Sequence, residues 1–255
     1  MQWRDEGILL SVRRHGESAA IISLLTRDHG RHAGLVRGGA GKRLRGALQP
    51  GNQLTATWRA RLSEHLGSFT VELARARTAG LLDWPDRLAA LMAAAAVIDA
   101  ALPERESHVG IYDGMLALLD ALQDHDVPDE VWAAVYVRLE LGLLAELGFG
   151  LDLSQCAVTG DHNDLRFVSP RSGRAVSAAA AAPYADRLLP LPSFLIGGAA
   201  RAVGPGDLRD GLRLTGFFLE RQVFRPHGSR EPQARIRLVE RISRWVTRSG
   251  DIVAS

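Results

Sequence analysis

Cysteine is almost missing from this chain of 255 residues. Cys156 stands alone, which excludes an internal disulfide framework and a cysteine-only zinc site and fits a reducing cytoplasm. Lysine is equally scarce, Lys42 being the only one, and genomic base composition explains that bias without any appeal to guanidinium chemistry. Aromatic residues make up 6% of the chain, and the first eighty residues hold only Trp3, Trp58 and Phe69. No apolar run is long enough to span a bilayer, and no charged–apolar–small layout of a secretion signal opens the chain. Catalytic signatures are missing too: there is no Gly-x-Ser-x-Gly elbow, no Walker loop and no dinucleotide fingerprint between a strand and a helix. The motif GGAGKR has the wrong spacing for a phosphate loop, and no helix is expected after it. These absences point away from an enzyme and towards a soluble, cytoplasmic binding protein.

What is present is a pattern of charge. The net charge is only +2, but residues 1–80 carry thirteen Arg and Lys against six Asp and Glu. Residues 81–207 carry eight against eighteen, and residues 208–248 carry ten against four. A basic–acidic–basic layout suggests two surfaces that face a polyanion and a middle part with other duties.

The chain is organised around Glu6–Arg45, in which three apolar runs (Gly7–Val12, Ala19–Leu25, Ala33–Val36) are separated by the turn-like HGES and RDHGRH. They close on a loop in which Arg37, Lys42, Arg43 and Arg45 stand among Gly38, Gly39, Gly41 and Gly46 with no acid between them. Glycines let backbone approach a ligand, and cations without local counter-charge invite an external anion. The same composition also describes a disordered, solvated hairpin loop.

Leu54–Arg61 and Ser68–Leu73 add two strands, giving five short strands in eighty residues, the size of a small closed barrel of the oligonucleotide-binding kind or of a small sandwich. After Gly80 the pattern turns helical. Helices are expected over Asp86–Leu102, from a Ser107 cap to Gln123, and from Pro128–Asp129 until Gly148 and Gly150 stop it, as antiparallel neighbours in a bundle. A short hairpin is expected around Pro170–Gly173, then an alanine-rich helix over Ser177–Leu189, a loop over Leu191–Gly206 and an Asp207-capped helix to about Phe224. A final helix, Gln233–Arg248, places Leu238, Ile242, Trp245 and Val246 on one face and Arg237, Arg241, Arg244 and Arg248 on another. That arginine face is either solvated or a second phosphate-contacting surface. Asp161, His162 and Asp164 offer metal-ligand chemistry, but a polar turn explains them better.

The opening DEGILLSVRRHGESAAIISLLTRDHGRHAGLVRGGAGKRLRGALQPG, with its basic-Gly-Glu turn, His-Gly turn, Arg-Gly loop and Leu-Gln-Pro, resembles the first domain of the RecO family of bacterial recombination mediators. VYVRLELGLLAELGFGLDLSQCAVTG, FVSPRSGRAVS, LLPLPSFL and GLRLTGFFLERQVF are similar to later parts of that family, so the resemblance spans nearly the whole chain. It implies an α+β protein: a five-stranded oligonucleotide-binding barrel over residues 1–80, then a helical domain over residues 81–255. The family's zinc ribbon would fall at about residues 151–178. Only Cys156 of its four cysteines remains, with Thr159, Ser177 and Ala180 in the other places, so a degenerate, metal-free hairpin is expected and no cofactor.

The resemblance further implies binding of single- and double-stranded DNA, annealing of complementary strands, and help in loading RecA onto strands coated with single-strand binding protein. The implied partners are RecR, the acidic, apolar C-terminal tail of the single-strand binding protein, and sometimes RecF; no membrane and no catalysis are involved. Expected DNA contacts are Arg13, Arg14, Arg37, Lys42, Arg43, Arg45, Arg59 and Arg61, the last two sharing one strand face. Arg138, amid Trp132, Val135 and Leu139, suits the carboxylate of the tail. The rival binding class is a generic RNA- or DNA-binding barrel protein that does not anneal strands.

Overall fold

The computed structural model describes residues 1–196 and 203–253, with side chains described as far as Trp245. The chain divides into two compact units, Met1–Asp124 with Pro232–Arg235, and His125–Glu231 with Ile236–Ser255.

The first unit begins with five strands: β1 (Gln2–His15), β2 (Ala19–Thr26), β3 (Gly30–Val36), β4 (Gln53–Arg59) and β5 (Ser68–Arg75). They close into a barrel in the order β1-β2-β3-β5-β4, the arrangement of an oligonucleotide-binding fold. β1 is long enough to serve two neighbours, pairing with β4 through its first half and with β2 through its second, and a bulge between Leu9 and Ser11 bends it from one to the other. Period-two burial fills the interior. In β4, Leu54, Ala56 and Trp58 point inward, and in β3 the inward positions are Gly30, His32, Gly34 and Val36.

Closure depends on a short seam. β3 and β5 run parallel and pair at Leu35 and Ser68, with the Leu35 N–H donating to the Gly67 carbonyl at 3.1 Å. Two glycines make room for it. A Cβ on Gly34 would come within 2.5 Å of the Phe69 ring. One on Gly67, whose φ is +65°, would meet the Trp58 indole at 2.4 Å. Beside the seam lies a ring cluster: Trp3 stacks on His29 at 4.1 Å, and His32 stands edge-on to Trp58 at 4.8 Å and to Trp3 at 5.0 Å. Both ring nitrogens of His32 are buried without a hydrogen-bond partner. Burial, with the nearby charges of Arg105 and His29, lowers its pKa to about 4.

Two helices follow the barrel in this unit, after a one-turn helix in the loop between β3 and β4, α1 (Lys42–Arg45). These are α2 (Pro85–Ala101) and α3 (Val109–Gln123). They are tied to the barrel by buried polar groups. Asn52 accepts the N–H groups of Arg77 and Thr78 at 2.9 and 3.1 Å and donates to the carbonyls of Gly46 and Ala47. Buried Arg77 reaches Gln53, Asp120 and Gln123. Arg87, also buried, donates to the Leu122 and Asp124 carbonyls at the C-terminus of α3, where orphan acceptors need a partner.

The second unit holds α4 (Asp129–Glu146), a small sheet of β6 (Leu165–Val168), β7 (Ala175–Ser177) and β8 (Leu189–Pro190), the short α5 (Ala178–Ala181), α6 (Pro205–Phe218) and most of α7 (Gln233–Val253). α4 packs on α6, and α6 runs on into a π-helical segment, Leu219–Phe224. Among the described residues, no helix is long and apolar enough to cross a membrane.

Several local expectations change. Ser107 does not cap α3; His108 occupies the cap position, and the Ser107 hydroxyl donates to the Arg27 carbonyl. The three helices expected as one bundle are shared between the two units. The alanine-rich helix over Ser177–Leu189 is reduced to the four residues of α5, because Pro183 cannot supply the N–H that its continuation needs. Asp207 lies inside α6 rather than at its cap, and its carboxylate accepts the Gly204 N–H at 3.1 Å. Part of the expected loop over Leu191–Gly206 falls at residues 197–202, outside the described residues.

Gly34→Val overpacks the seam against Phe69 and lowers stability by about 1–3 kcal/mol in urea unfolding. His32 binds a proton more readily unfolded than folded, so its contribution to stability is complete above about pH 6.5 and fades as pH falls towards 4. The loss amounts to about 3 kcal/mol at most. In His32→Phe the urea midpoint between pH 7 and 4 becomes flatter.

Candidate nucleic-acid interface

The glycine-rich loop after β3 is held in a fixed place. Gly38 turns the chain with φ +71°, and Gly39 packs so closely on Ala20 that a Cβ would lie 2.8 Å from the alanine methyl. The Ala40 N–H donates to the Ser18 carbonyl at 3.0 Å, which brings the β1–β2 turn against the loop. α1 follows at once, contrary to the expectation that no helix succeeds GGAGKR, and Asn52 holds the carbonyls of Gly46 and Ala47 behind it. The solvated, disordered hairpin is therefore not what forms. At four residues, α1 is too short to have a useful dipole, so its basic side chains carry the charge.

Between this loop and the seam lies a cleft of about 300 Å³, lined by Val36, Arg37, Arg43, Leu44, Arg59, Ser68, Phe69, Thr70 and Val71. Four elements converge on it: Arg37 follows the end of β3 at Val36, α1 brings Arg43 and Leu44, the last residue of β4 brings Arg59, and β5 brings Ser68, Phe69, Thr70 and Val71. The Arg59 side chain is oriented by Gln2, whose Oε1 accepts from its Nε at 2.9 Å. Among the described residues none of these three arginines forms an ion pair. Three uncompensated cations around one concavity focus a positive potential into it.

The other expected contacts lie around or away from this cleft. Lys42 and Arg45 are exposed on α1 but do not line it. Arg13 and Arg14 are exposed at the far end of β1, on opposite faces of the strand, where Arg14 donates to the Glu17 carbonyl at 3.1 Å. Arg61 does not share a strand face with Arg59, because β4 ends at Arg59 and Arg61 lies in the following loop. That loop is held from two sides. The Trp58 indole N–H donates to Leu66, and Arg105 donates to the carbonyls of Glu64 and His65.

Of the three aromatics of the barrel, Trp58 is 2% exposed and Trp3 is engaged in the ring cluster, while Phe69, 4% exposed, is the one that lines the cleft. What the sequence reading missed is the apolar side of the cleft, Leu44, Phe69 and Val71, with Ser68 and Thr70 beside them. The alternation in SFTVEL places Phe69 and Val71 on one strand face and was the available signal.

In the second unit, α7 buries Leu238 and Ile242 completely, and Trp245 meets Trp132 edge-on at 5.5 Å. Arg237 and Arg244 are exposed and Arg241 is half-buried; Arg248 and Val246 lie outside the residues whose side chains are described. Arg138 is exposed on α4, and its guanidinium donates to the Phe194 carbonyl at 2.7 Å.

The hairpin expected around Pro170–Gly173 forms as β6 and β7, with β8 as a third strand. Cys156 is buried beside it, and its sulfur accepts the Ser177 N–H at 3.3 Å and the Ser177 hydroxyl at 3.4 Å. Burial opposes ionisation of this thiol, but hydrogen bonds from Ser177 and Thr159 outweigh it and lower its pKa to about 6. One thiol with two hydroxyls and the Ala180 methyl does not fit a tetrahedral zinc site. Nor do Asp161, His162 and Asp164 converge: His162 is bonded to the Ser154 carbonyl and Asp164 to Arg166. Among the described residues no three metal-ligating side chains lie close enough to share an ion.

Comparison with known proteins agrees with this architecture. Residues 1–77 match the family model "Recombination protein O N terminal", and residues 83–231 match "Recombination protein O C terminal". The DNA repair protein RecO of Rhodospirillum rubrum is 55% identical over 246 residues, covering 96% of this chain and 98% of the relative. That of Rhodospirillum centenum is 54% identical over 252 residues, covering 98% of each. That of Cereibacter sphaeroides is 54% identical over 245 residues, covering 96% of this chain and 99% of the relative. With both halves matched and such identity along nearly its full length, the chain belongs to the RecO family of DNA repair and recombination proteins.

Proposed function

We propose that this protein is a non-catalytic mediator that binds single- and double-stranded DNA and anneals complementary strands. The observation that carries this reading is the cleft bounded by Arg37, Arg43 and Arg59 on a closed barrel, three guanidiniums that form no ion pair among the described residues. Phosphate contact supplies sequence-independent affinity. A strand held by its backbone keeps its pairing edges free, and cations between two strands reduce their mutual repulsion. Lys42, Arg45, Arg13, Arg14 and Arg61 extend the basic surface around the cleft, and the arginines of α7 would provide a second one in the other unit.

The chain works within this proposal as two functional parts, a DNA-binding barrel over residues 1–80 and a helical part over residues 81–255. It acts in the cytoplasm at the nucleoid, with RecR, in loading RecA onto strands coated with single-strand binding protein, and in some settings with RecF. Arg138 remains the proposed contact for the carboxylate-bearing tail of the single-strand binding protein. Its guanidinium retains donors beyond the one given to Phe194, and the surrounding α4 face is apolar.

The test is annealing of complementary oligonucleotides, followed by fluorescence across a range of salt concentrations. The chain is compared with a variant carrying Arg37→Ala, Arg43→Ala and Arg59→Ala. The variant is expected to anneal far more slowly, and the slope of log affinity against log salt for a single strand is expected to fall by about two. No annealing by the folded wild type sinks the proposal. Full annealing by the variant moves the activity away from the cleft, with α7 the next surface to alter.

A further inference from the structure

We infer that Arg105, in the connection between α2 and α3, is a positioning residue for nucleic-acid binding: it clamps the β4–β5 loop, residues 60–67, and so fixes Arg61 for contact with a strand. This rests on the DNA-binding reading and adds to it a residue outside the barrel.

The backbone at Arg105 is left-handed, with φ +65°. A side chain is disfavoured in that conformation, and glycine is its usual occupant. The barrel imposes it. The Arg105 N–H donates to the Arg31 carbonyl at 2.8 Å, and Glu104 bridges Arg31 in parallel. Glu106 lies so close to Gly30 that a Cβ there would come within 1.8 Å of its carbonyl oxygen. Arg31 is fixed in turn, its Nε donating to the Leu102 carbonyl at 2.8 Å and its guanidinium pairing with Asp99 and Glu104. An arginine held where glycine would fit without strain points to a use for its side chain.

That side chain reaches the loop. Nη2 of Arg105 donates to the Glu64 and His65 carbonyls at 3.2 and 2.9 Å. The two ends of the loop are tied separately: the Ala60 N–H donates to the Met1 carbonyl at 3.1 Å, and the Leu66 carbonyl accepts the Trp58 indole N–H at 3.0 Å. Between these ties, among the described residues, the hydrogen bonds that reach residues 61–65 from outside the loop are those of Arg105. Arg61 stands on this stretch, exposed and with no ion pair among the described residues. In barrels of this kind the loop between the fourth and fifth strands is one that meets nucleic acid. A clamped loop has already lost the conformational entropy that a free one would lose on binding. Arg59 needs no such clamp, because pairing with Gln2 and Ser68 fixes it in β4.

The experiment measures binding of the full chain to oligothymidine by fluorescence anisotropy across a salt series. Arg61→Ala is expected to lower the slope of log affinity against log salt by about 0.7, the value of one phosphate contact on a single strand. Arg105→Gly is expected to lower it equally, and the double variant no further, since the second change removes a contact already lost. Combined with Arg59→Ala, Arg105→Gly is expected to be additive, lowering the slope by about 1.4. Glycine takes the left-handed backbone without strain, so the urea midpoint of Arg105→Gly is expected to stay close to that of the wild type. Additive loss with Arg61→Ala means that Arg105 meets phosphate itself and overturns the clamp. A wild-type slope in either single variant overturns it as well, and so does a loss that appears only with a lowered urea midpoint. All three leave the DNA-binding reading intact, whereas failure of the wild type to bind the strand overturns that reading itself.

Discussion

The seam between β3 and β5 is the constraint on which the first unit depends. A barrel of five strands can close only if its third and fifth come together, and here they meet through Leu35, Gly67 and Ser68. So short a parallel contact supplies little hydrogen bonding of its own. It is sustained by the rings packed beside it, Phe69 against Gly34 and Trp58 against Gly67, where the lack of a Cβ permits the approach. The same shortness creates the cleft. β3 ends at Val36, one residue past the pairing, and the space left there is bounded by Arg37, α1, Arg59 and the opening residues of β5. Closure and cleft are thus two consequences of one geometric feature.

The cations of the cleft would be of little use on a mobile loop, since ordering them on a ligand would cost conformational entropy. Asn52 reduces that cost by linking the end of the loop, where it donates to two carbonyls after α1, to the segment after β5, whose Arg77 and Thr78 N–H groups it accepts. Through Arg77 the same network reaches Asp120 and Gln123 on α3, so the loop is braced by the helices behind the barrel. In the second unit a comparable economy holds the ribbon. Ser177 and Thr159 supply hydrogen bonds to the buried Cys156 sulfur beside the β6–β7 hairpin.

Much of this was legible in the residues. Apolar, β-leaning runs and the turns between them marked all five barrel strands, and the cations of the glycine-rich loop stood out because no acid accompanied them. The family resemblance is likewise carried by the residues themselves. What could not be read was non-local. Nothing in LTATWRAR shows that its strand stops at Arg59, which separates Arg61 from its neighbour. Nothing local shows that α4 pairs with α6 instead of joining α2 and α3. Ser107 and Asp207 looked like caps because both residue types favour that position, yet the backbone of each helix begins elsewhere and uses their side chains differently. Which three of the eight proposed contacts share a cleft depends on the closure of the barrel, and a single residue pairing separated by over thirty positions leaves no periodic trace.

The central claim is that nucleic acid is held at the barrel cleft. Hydrogen–deuterium exchange of the full chain, with and without a single-stranded oligonucleotide, tests it most directly. Slowed exchange concentrated in residues 36–46 and 59–71 is the expected result. Protection confined to residues 233–253, with the cleft segments unchanged, would contradict the account and place the nucleic-acid surface on α7.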